Sequence, residues 1–184
     1  MVIMKLIGRG MFSRVYTSNE VGNEHVIILS NDRAKEALSF NWHDNETGIF
    51  PTLERVDYNG DFFVYTQKFY PRTRAWKKAL DADQYKLYCD LKDVFNATCM
   101  NVKNEYDRYY MLYNAFDKSS IREDYKQDIL SMIDSLANFG ADIGFEISPR
   151  NIAVENGKLI LLDCFFFSTD VIKARKKSRN NFKL

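Results

Sequence analysis

The chain has 184 residues, 46% of them hydrophobic and 28% charged. That balance excludes a disordered chain and leaves room for one domain with a real core or for two small lobes. A net charge of +1 excludes partner recognition by the field of the whole molecule. Cys89, Cys99 and Cys164 show no C-x-x-C spacing and are accompanied by only two histidines. Neither a disulfide framework nor a zinc site is expected, and a reducing compartment fits. The N-terminal Met1-Val2-Ile3-Met4-Lys5 lacks the apolar stretch of a signal peptide, and no apolar run approaches membrane-spanning length. A cytoplasmic protein with no membrane partner is expected.

In chain order, residues 3–8 read as a strand, Gly8-Arg9-Gly10 breaks it, and residues 11–17 resume it with aromatic and β-branched side chains. A turn at 21–24 leads to a continuously apolar strand at 25–29, the pattern of a strand buried on both faces. Ser30, Asn31 or Asp32 then caps a helix reaching about residue 42, with Ala34, Ala37, Leu38 and Phe40 as its apolar positions. Residues 53–58 alternate as a half-buried strand, Asn59-Gly60 is a hairpin turn, and residues 61–69 pair back.

Pro71-Arg72-Thr73-Arg74 marks a change to helical periodicity. Helices are expected over 84–97, 105–116 and 119–139. In the third, Ile121, Tyr125, Ile129, Met132, Ile133 and Leu136 form the apolar stripe, Ser120 and Glu123 a capping box, and Gly140 the stop. A loop at 144–151 precedes two short strands, 152–155 and 158–162, around Asn156-Gly157. Phe165-Phe166-Phe167 and a basic stretch from Lys173 to Arg179 follow. The fold class read from this order is α+β: an antiparallel sheet with one helix over 1–70, a mostly helical unit with a short β-hairpin over 71–172, and a basic tail over 173–184. The tail reads first as solvated and second as a contact for nucleic acid or an acidic protein surface.

Three constellations carry chemistry. Gly8, Gly10, Phe12, Ser13 and Val15 sit in a glycine-containing hairpin of the form G-x-G-x-F-S-x-V. Its backbone N–H groups could face nucleotide phosphates, with Ser13 where a third glycine often stands. Asn151 and Asp163, at the ends of two short strands, offer one amide and one carboxylate to Mg²⁺. Glu146, five positions before Asn151, is the candidate base. It is one methylene longer than aspartate, and a displacement on the order of 1 Å can cost about a hundredfold in rate.

These stretches resemble the protein-kinase-like superfamily and, more narrowly, the early serine/threonine protein kinase of short-tailed, autographivirus-type bacteriophages. The resemblance rests on Leu6 to Tyr16, on Gly48-Ile49-Phe50-Pro51-Thr52-Leu53 with the hairpin that follows, and on Asn151 to Asp163. It implies a miniature two-lobe fold, ATP and Mg²⁺ as cofactors, and a host bacterial protein as partner, the transcription machinery being one candidate. The chain departs from the family at four points. Ile28 stands where the third strand carries lysine, leaving Lys5, Arg14 or Lys35 as candidate cations and Glu36 as the expected ion-pair partner. Glu146 replaces the catalytic aspartate. Cys164 and Phe165 replace the Phe and Gly that normally follow the metal-binding aspartate. Little chain follows Asp163. These departures favour a degenerate kinase, or pseudokinase, that acts by binding a host protein. The alternatives are an active minimal serine/threonine kinase using Glu146, and a nucleic-acid-associated regulator acting through the basic tail.

Overall fold

The computed structural model describes residues 4–40, 45–71, 74–98 and 105–181. Five alternating segments pair as one antiparallel sheet: β1 (Met4–Arg9), β2 (Ser13–Ser18), β3 (His25–Ser30), β4 (Leu53–Tyr58) and β5 (Phe63–Lys68), in the spatial order β1-β2-β3-β5-β4. β3 lies at the centre, and its apolar run Val26-Ile27-Ile28 is buried, as a strand covered on both faces requires. β4 departs from the expected alternation. It is an edge strand with a bulge between Arg55 and Asp57, its outer face is uncovered, and only Leu53 is buried. The Asn59-Gly60 turn forms as expected: Gly60 has a φ of 88°, and Asn59 Oδ1 accepts the N–H groups of Asp61 and Phe62.

Of the three candidate caps for the first helix, Asp32 is the one used. Its Oδ1 accepts the Ala34 N–H at 2.9 Å, and helix α1 runs over Arg33–Phe40. Ala34, Ala37 and Leu38 pack inward, and so does Lys35. Phe40, expected in the core, is 59% exposed and stacks on Phe139. The expected end of this helix at residue 42 lies outside the described residues, as does Cys99.

The second unit holds α2 (Trp76–Ala79), α3 (Ala82–Thr98), α4 (Glu105–Asp117) and α5 (Glu123–Ala137). Ile129, Ile133 and Leu136 of α5 are fully enclosed. The capping box read at Ser120 and Glu123 does not form. The Ser120 hydroxyl donates instead to Asp90 of α3 at 3.1 Å, and α5 starts three residues later, from Arg122, without a side-chain cap. Beyond α5 come β6 (Ile143–Phe145), β7 (Ile152–Glu155), β8 (Lys158–Leu161) and β9 (Phe165–Phe167). β7 and β8 are the expected hairpin. The pairing of β6 with β9 gives structure to the start of the expected loop and to the phenylalanine run. α6 (Ser168–Asn181) follows, so the basic stretch from Lys173 is helical as far as Asn181. Asp142 caps α6 by accepting the Thr169 N–H and hydroxyl, both at 2.7 Å.

The architecture is therefore α+β, an antiparallel sheet with one helix joined to a helical unit that carries a short hairpin. One hydrophobic core runs from Val26 and Ile28 through α1 and α5 to Phe167. Among the described residues, no helix is long and apolar enough to cross a membrane. Residues 46–50 are fixed between the two units. Ile49 and Phe50 are buried, and the Ile49 carbonyl accepts the Leu161 N–H at 2.8 Å. Asp128 of α5, itself 5% exposed, accepts the Glu46 N–H at 3.2 Å and the Thr47 N–H and hydroxyl at 2.8 and 2.5 Å. Asp128→Ala strands those donors, and a loss of about 3 kcal/mol in unfolding free energy is expected. Urea titration of both proteins checks it; a change under about 1 kcal/mol would mean that water replaces the carboxylate.

Candidate functional site

The sheet and the β7–β8 hairpin enclose a cleft of about 800 Å³. Its roof is Ile7, Val15, Val26 and Ile28 from the sheet, and its floor includes Ile152, Val154 and Leu162. The chain from Gln67 to Pro71 closes its rear. There Lys68 Nζ reaches Glu155 Oε1 at 2.5 Å, an ion pair that joins β5 to β7. Much of the wall is apolar, Gln67, Lys68 and Arg74 also line it, and Lys35, Asn151 and Asp163 come together at one end. A flat, uncharged ring suits the walls, and an anion suits the polar end.

The glycine hairpin borders that end. Gly8, Gly10, Ser13 and Val15 line the cleft. Phe12 lines a neighbouring groove instead. The turn is held from behind: the Gly10 N–H donates to the Ser13 carbonyl at 2.8 Å, and the Phe12 carbonyl accepts the Asn31 N–H and the Ser30 hydroxyl. The Ser13 and Ser30 hydroxyls lie 2.7 Å apart. Ser13 is thus bound into the protein, as are the Gly10 N–H and the Phe12 carbonyl.

Asn151 and Asp163 are adjacent through the main chain. The Asn151 carbonyl accepts the N–H groups of Leu162 and Asp163 at 2.8 and 3.3 Å, and the Cys164 thiol at 3.3 Å. Burial pushes the Cys164 thiol far above the ordinary thiol range, so it is inert. β9 begins directly after it, at Phe165. The Asp163 side chain is 45% exposed and open to a ligand. One carboxylate and one amide fit Mg²⁺ that keeps water and phosphate as its other ligands. Among the described residues, no group of three or more His, Cys, Asp or Glu could hold a metal.

One cation of the cleft, Lys35, comes from α1. It projects from the first turn of α1, is 7% exposed, and its Nζ lies 3.1 Å from Asp163 Oδ1 and 3.5 Å from the Leu162 carbonyl. Burial works against the ammonium, but Asp163 and Asp32 outweigh it and hold its pKa above the usual lysine value. Lys35 stands within the stripe formed by Ala34 and Leu38, and a lysine inside an apolar stripe is the signal that singles it out. Neither Lys5 nor Arg14 lines the cleft. Glu36 turns away toward Arg55 of β4, at 3.8 Å.

Glu146 stands apart from the cleft. Its N–H donates to the Cys164 carbonyl at 2.8 Å, continuing the β6–β9 ladder. Its side chain lines a separate cavity of about 430 Å³ with Arg108 and Phe166.

No protein-family model matches this sequence, and no curated protein matches it. Among solved structures, the chain is similar to a spectinomycin phosphotransferase, APH(9)-Ia, in complex with ADP and spectinomycin. The TM-score is 0.41 at 10% identity, and the match covers 90% of this chain and 64% of that one.

Asp32 has a distinct pH signature. Burial, and then repulsion from Asp163, raises its pKa to about 6 against an attraction from Lys35. Folding therefore takes up a proton between about pH 4 and 6. The stability contributed by protonated Asp32 is fully present below about pH 4 and lost as the pH rises through about 6. Asp32→Asn keeps the cap and removes the titration. The stability of the natural protein relative to this variant should fall by about 3 kcal/mol from pH 4 to 7. Urea titrations of both across that range test this, and parallel curves would contradict it.

Proposed function

We propose that this protein is a kinase-like nucleotide binder that takes ATP–Mg²⁺ in the interlobe cleft and works by binding another protein. In this reading it is a pseudokinase. One juxtaposition carries the proposal: the Lys35–Asp163 pair lies at the phosphate end of an apolar cleft bordered by Gly8 and Gly10, while Glu146 faces a different cavity. The walls would take the base by burial. The N–H groups of the glycine turn other than that of Gly10, which is held by the Ser13 carbonyl, would take phosphate oxygens. Lys35 would neutralise phosphate charge, and Asn151 and Asp163 would hold the metal, whose part is to screen phosphate oxygens. No carboxylate other than Asp163 lines the cleft among the described residues, so a positioned base for an acceptor hydroxyl is missing. The phage-kinase resemblance supports a host bacterial protein as partner, met in the host cytoplasm, with the transcription machinery as a candidate.

Lys35 also favours a second reading, an active minimal serine/threonine kinase. A lysine ion-paired to the metal-site aspartate restores the charge that Ile28 removes from the sheet.

ATP–Mg²⁺ at a hundredfold over its Kd should stabilise the protein by about 2.7 kcal/mol. Lys35→Met and Asp163→Ala should each abolish that gain. Absence of stabilisation in the natural protein would sink the nucleotide reading. With labelled ATP and host lysate, little transfer is expected above that of Asp163→Ala. Robust transfer lost in that variant would establish the active kinase instead.

A further inference from the structure

A second groove, of about 480 Å³, opens on the far side of the glycine turn. It lies between that turn, the start of α1, the β4–β5 turn at Phe62, and α6. It shares Arg9, Gly10 and Ser13 with the nucleotide cleft, so the two cavities meet at the glycine turn.

The α6 wall is fixed by Arg33. Its Nε donates to Asp170 Oδ2 at 2.7 Å, its Nη1 to the Phe139 carbonyl at 2.6 Å, and its Nη2 to Thr169 at 3.3 Å. Its guanidinium lies over the Phe167 ring at 4.1 Å. This network uses the one acidic side chain of the groove, Asp170. The remaining charges are all positive: Arg9, Arg14 and Lys173. All three are exposed, and none forms an ion pair with another described residue. Lys173 sits three residues after Asp170, on the same face of α6, and Lys176, also exposed, continues the charge one turn on.

We propose that this groove binds an acidic segment of a partner protein and delivers it beside the phosphate end of the cleft. Charge complementarity argues for the occupant: an open groove with three cations that pair with no described acidic residue, its one carboxylate already held by Arg33, favours carboxylates. Its size argues against nucleic acid, whose affinity comes from neutralising many phosphates along an extended basic surface. The exposed Met11 and Phe62 add apolar contact suited to a peptide. The proposal rests on the nucleotide reading for the position of the segment relative to phosphate, and binding of the segment itself is measured without nucleotide.

The test is fluorescence anisotropy with a short labelled peptide of Glu and Asp around one Ser, its Lys-substituted counterpart, and a single-stranded oligonucleotide of similar length. The acidic peptide should bind best, and Arg14→Glu with Lys173→Glu should weaken it about tenfold or more. The milder pair Arg14→Gln and Lys173→Gln, read beside circular dichroism, should weaken it in the same direction if the reversal disturbs folding. Neither pair should change stabilisation by ATP–Mg²⁺. Equal binding of acidic and basic peptides, an unchanged Kd in both variant pairs, or tighter binding of the oligonucleotide would overturn the proposal. Failure of ATP–Mg²⁺ to stabilise the natural protein while the acidic peptide binds would overturn the nucleotide reading and leave the groove standing.

Discussion

A single buried ammonium sets the geometry of the cleft. Placing the Lys35 amine inside the protein costs several kcal/mol in lost hydration, and only nearby carboxylates offset that. Asp163 lies 3.1 Å away, and Asp32 adds a second attraction. Removing Asp163 leaves the buried ammonium short of its nearest carboxylate, whereas Asp163, 45% exposed, would be solvated if Lys35 were lost. α1 and the β8–β9 connection therefore cannot separate without exposing that cost. The cleft keeps its roof and floor in register partly because a charge is trapped between them.

This arrangement divides work differently from a lysine carried on the sheet. Ile28 gives its position to the apolar roof, and the cation arrives from the helix. The carboxylate end is stiffened to match. The Asn151 carbonyl collects three donors, and β9 starts at Phe165 where a glycine would permit a swing. The backbone that carries Asp163 is tied at both ends, so the ion pair meets a fixed partner. Preorganisation of this kind favours ligand binding, because little ordering remains to be done on association. It also leaves little scope for a switch at this turn.

The elements that follow from local pattern were legible in the sequence. β3 announced itself as a continuous apolar run, the β4–β5 turn as Asn59-Gly60, and α5 as a stripe of period near four. The glycine turn, Asn151 and Asp163 were legible as parts of one cleft. What escaped depends on partners remote in sequence. Ser120 looked like a cap, yet its hydroxyl is taken by Asp90, 30 residues earlier. Phe165 to Phe167 carried no strand expectation, yet they pair with β6 across the β7–β8 hairpin. Lys35 finds Asp163 across 128 positions, and no local propensity reports such a contact. Glu146 kept the right spacing from Asn151, but spacing along a chain does not fix which cavity a side chain enters once β6 pairs with β9.

The first turn of α1 explains how so short a chain builds a complete cleft. Three neighbouring charges in it face three directions. Asp32 caps the helix, Arg33 reaches α6 through Asp170 and the Phe139 carbonyl, and Lys35 reaches Asp163. One turn therefore ties the sheet unit to the last helix and to Asp163 together. Larger lobes can spread such tasks over several elements. Here they converge on four consecutive residues, so the position of α1 follows from charge pairing as much as from the apolar packing of Ala34, Ala37 and Leu38. That convergence also explains why Arg33 and Lys35 differ in type. A guanidinium can bridge several acceptors in a fixed fork at a half-exposed site, whereas an ammonium can point at a single carboxylate from within a narrow, apolar approach.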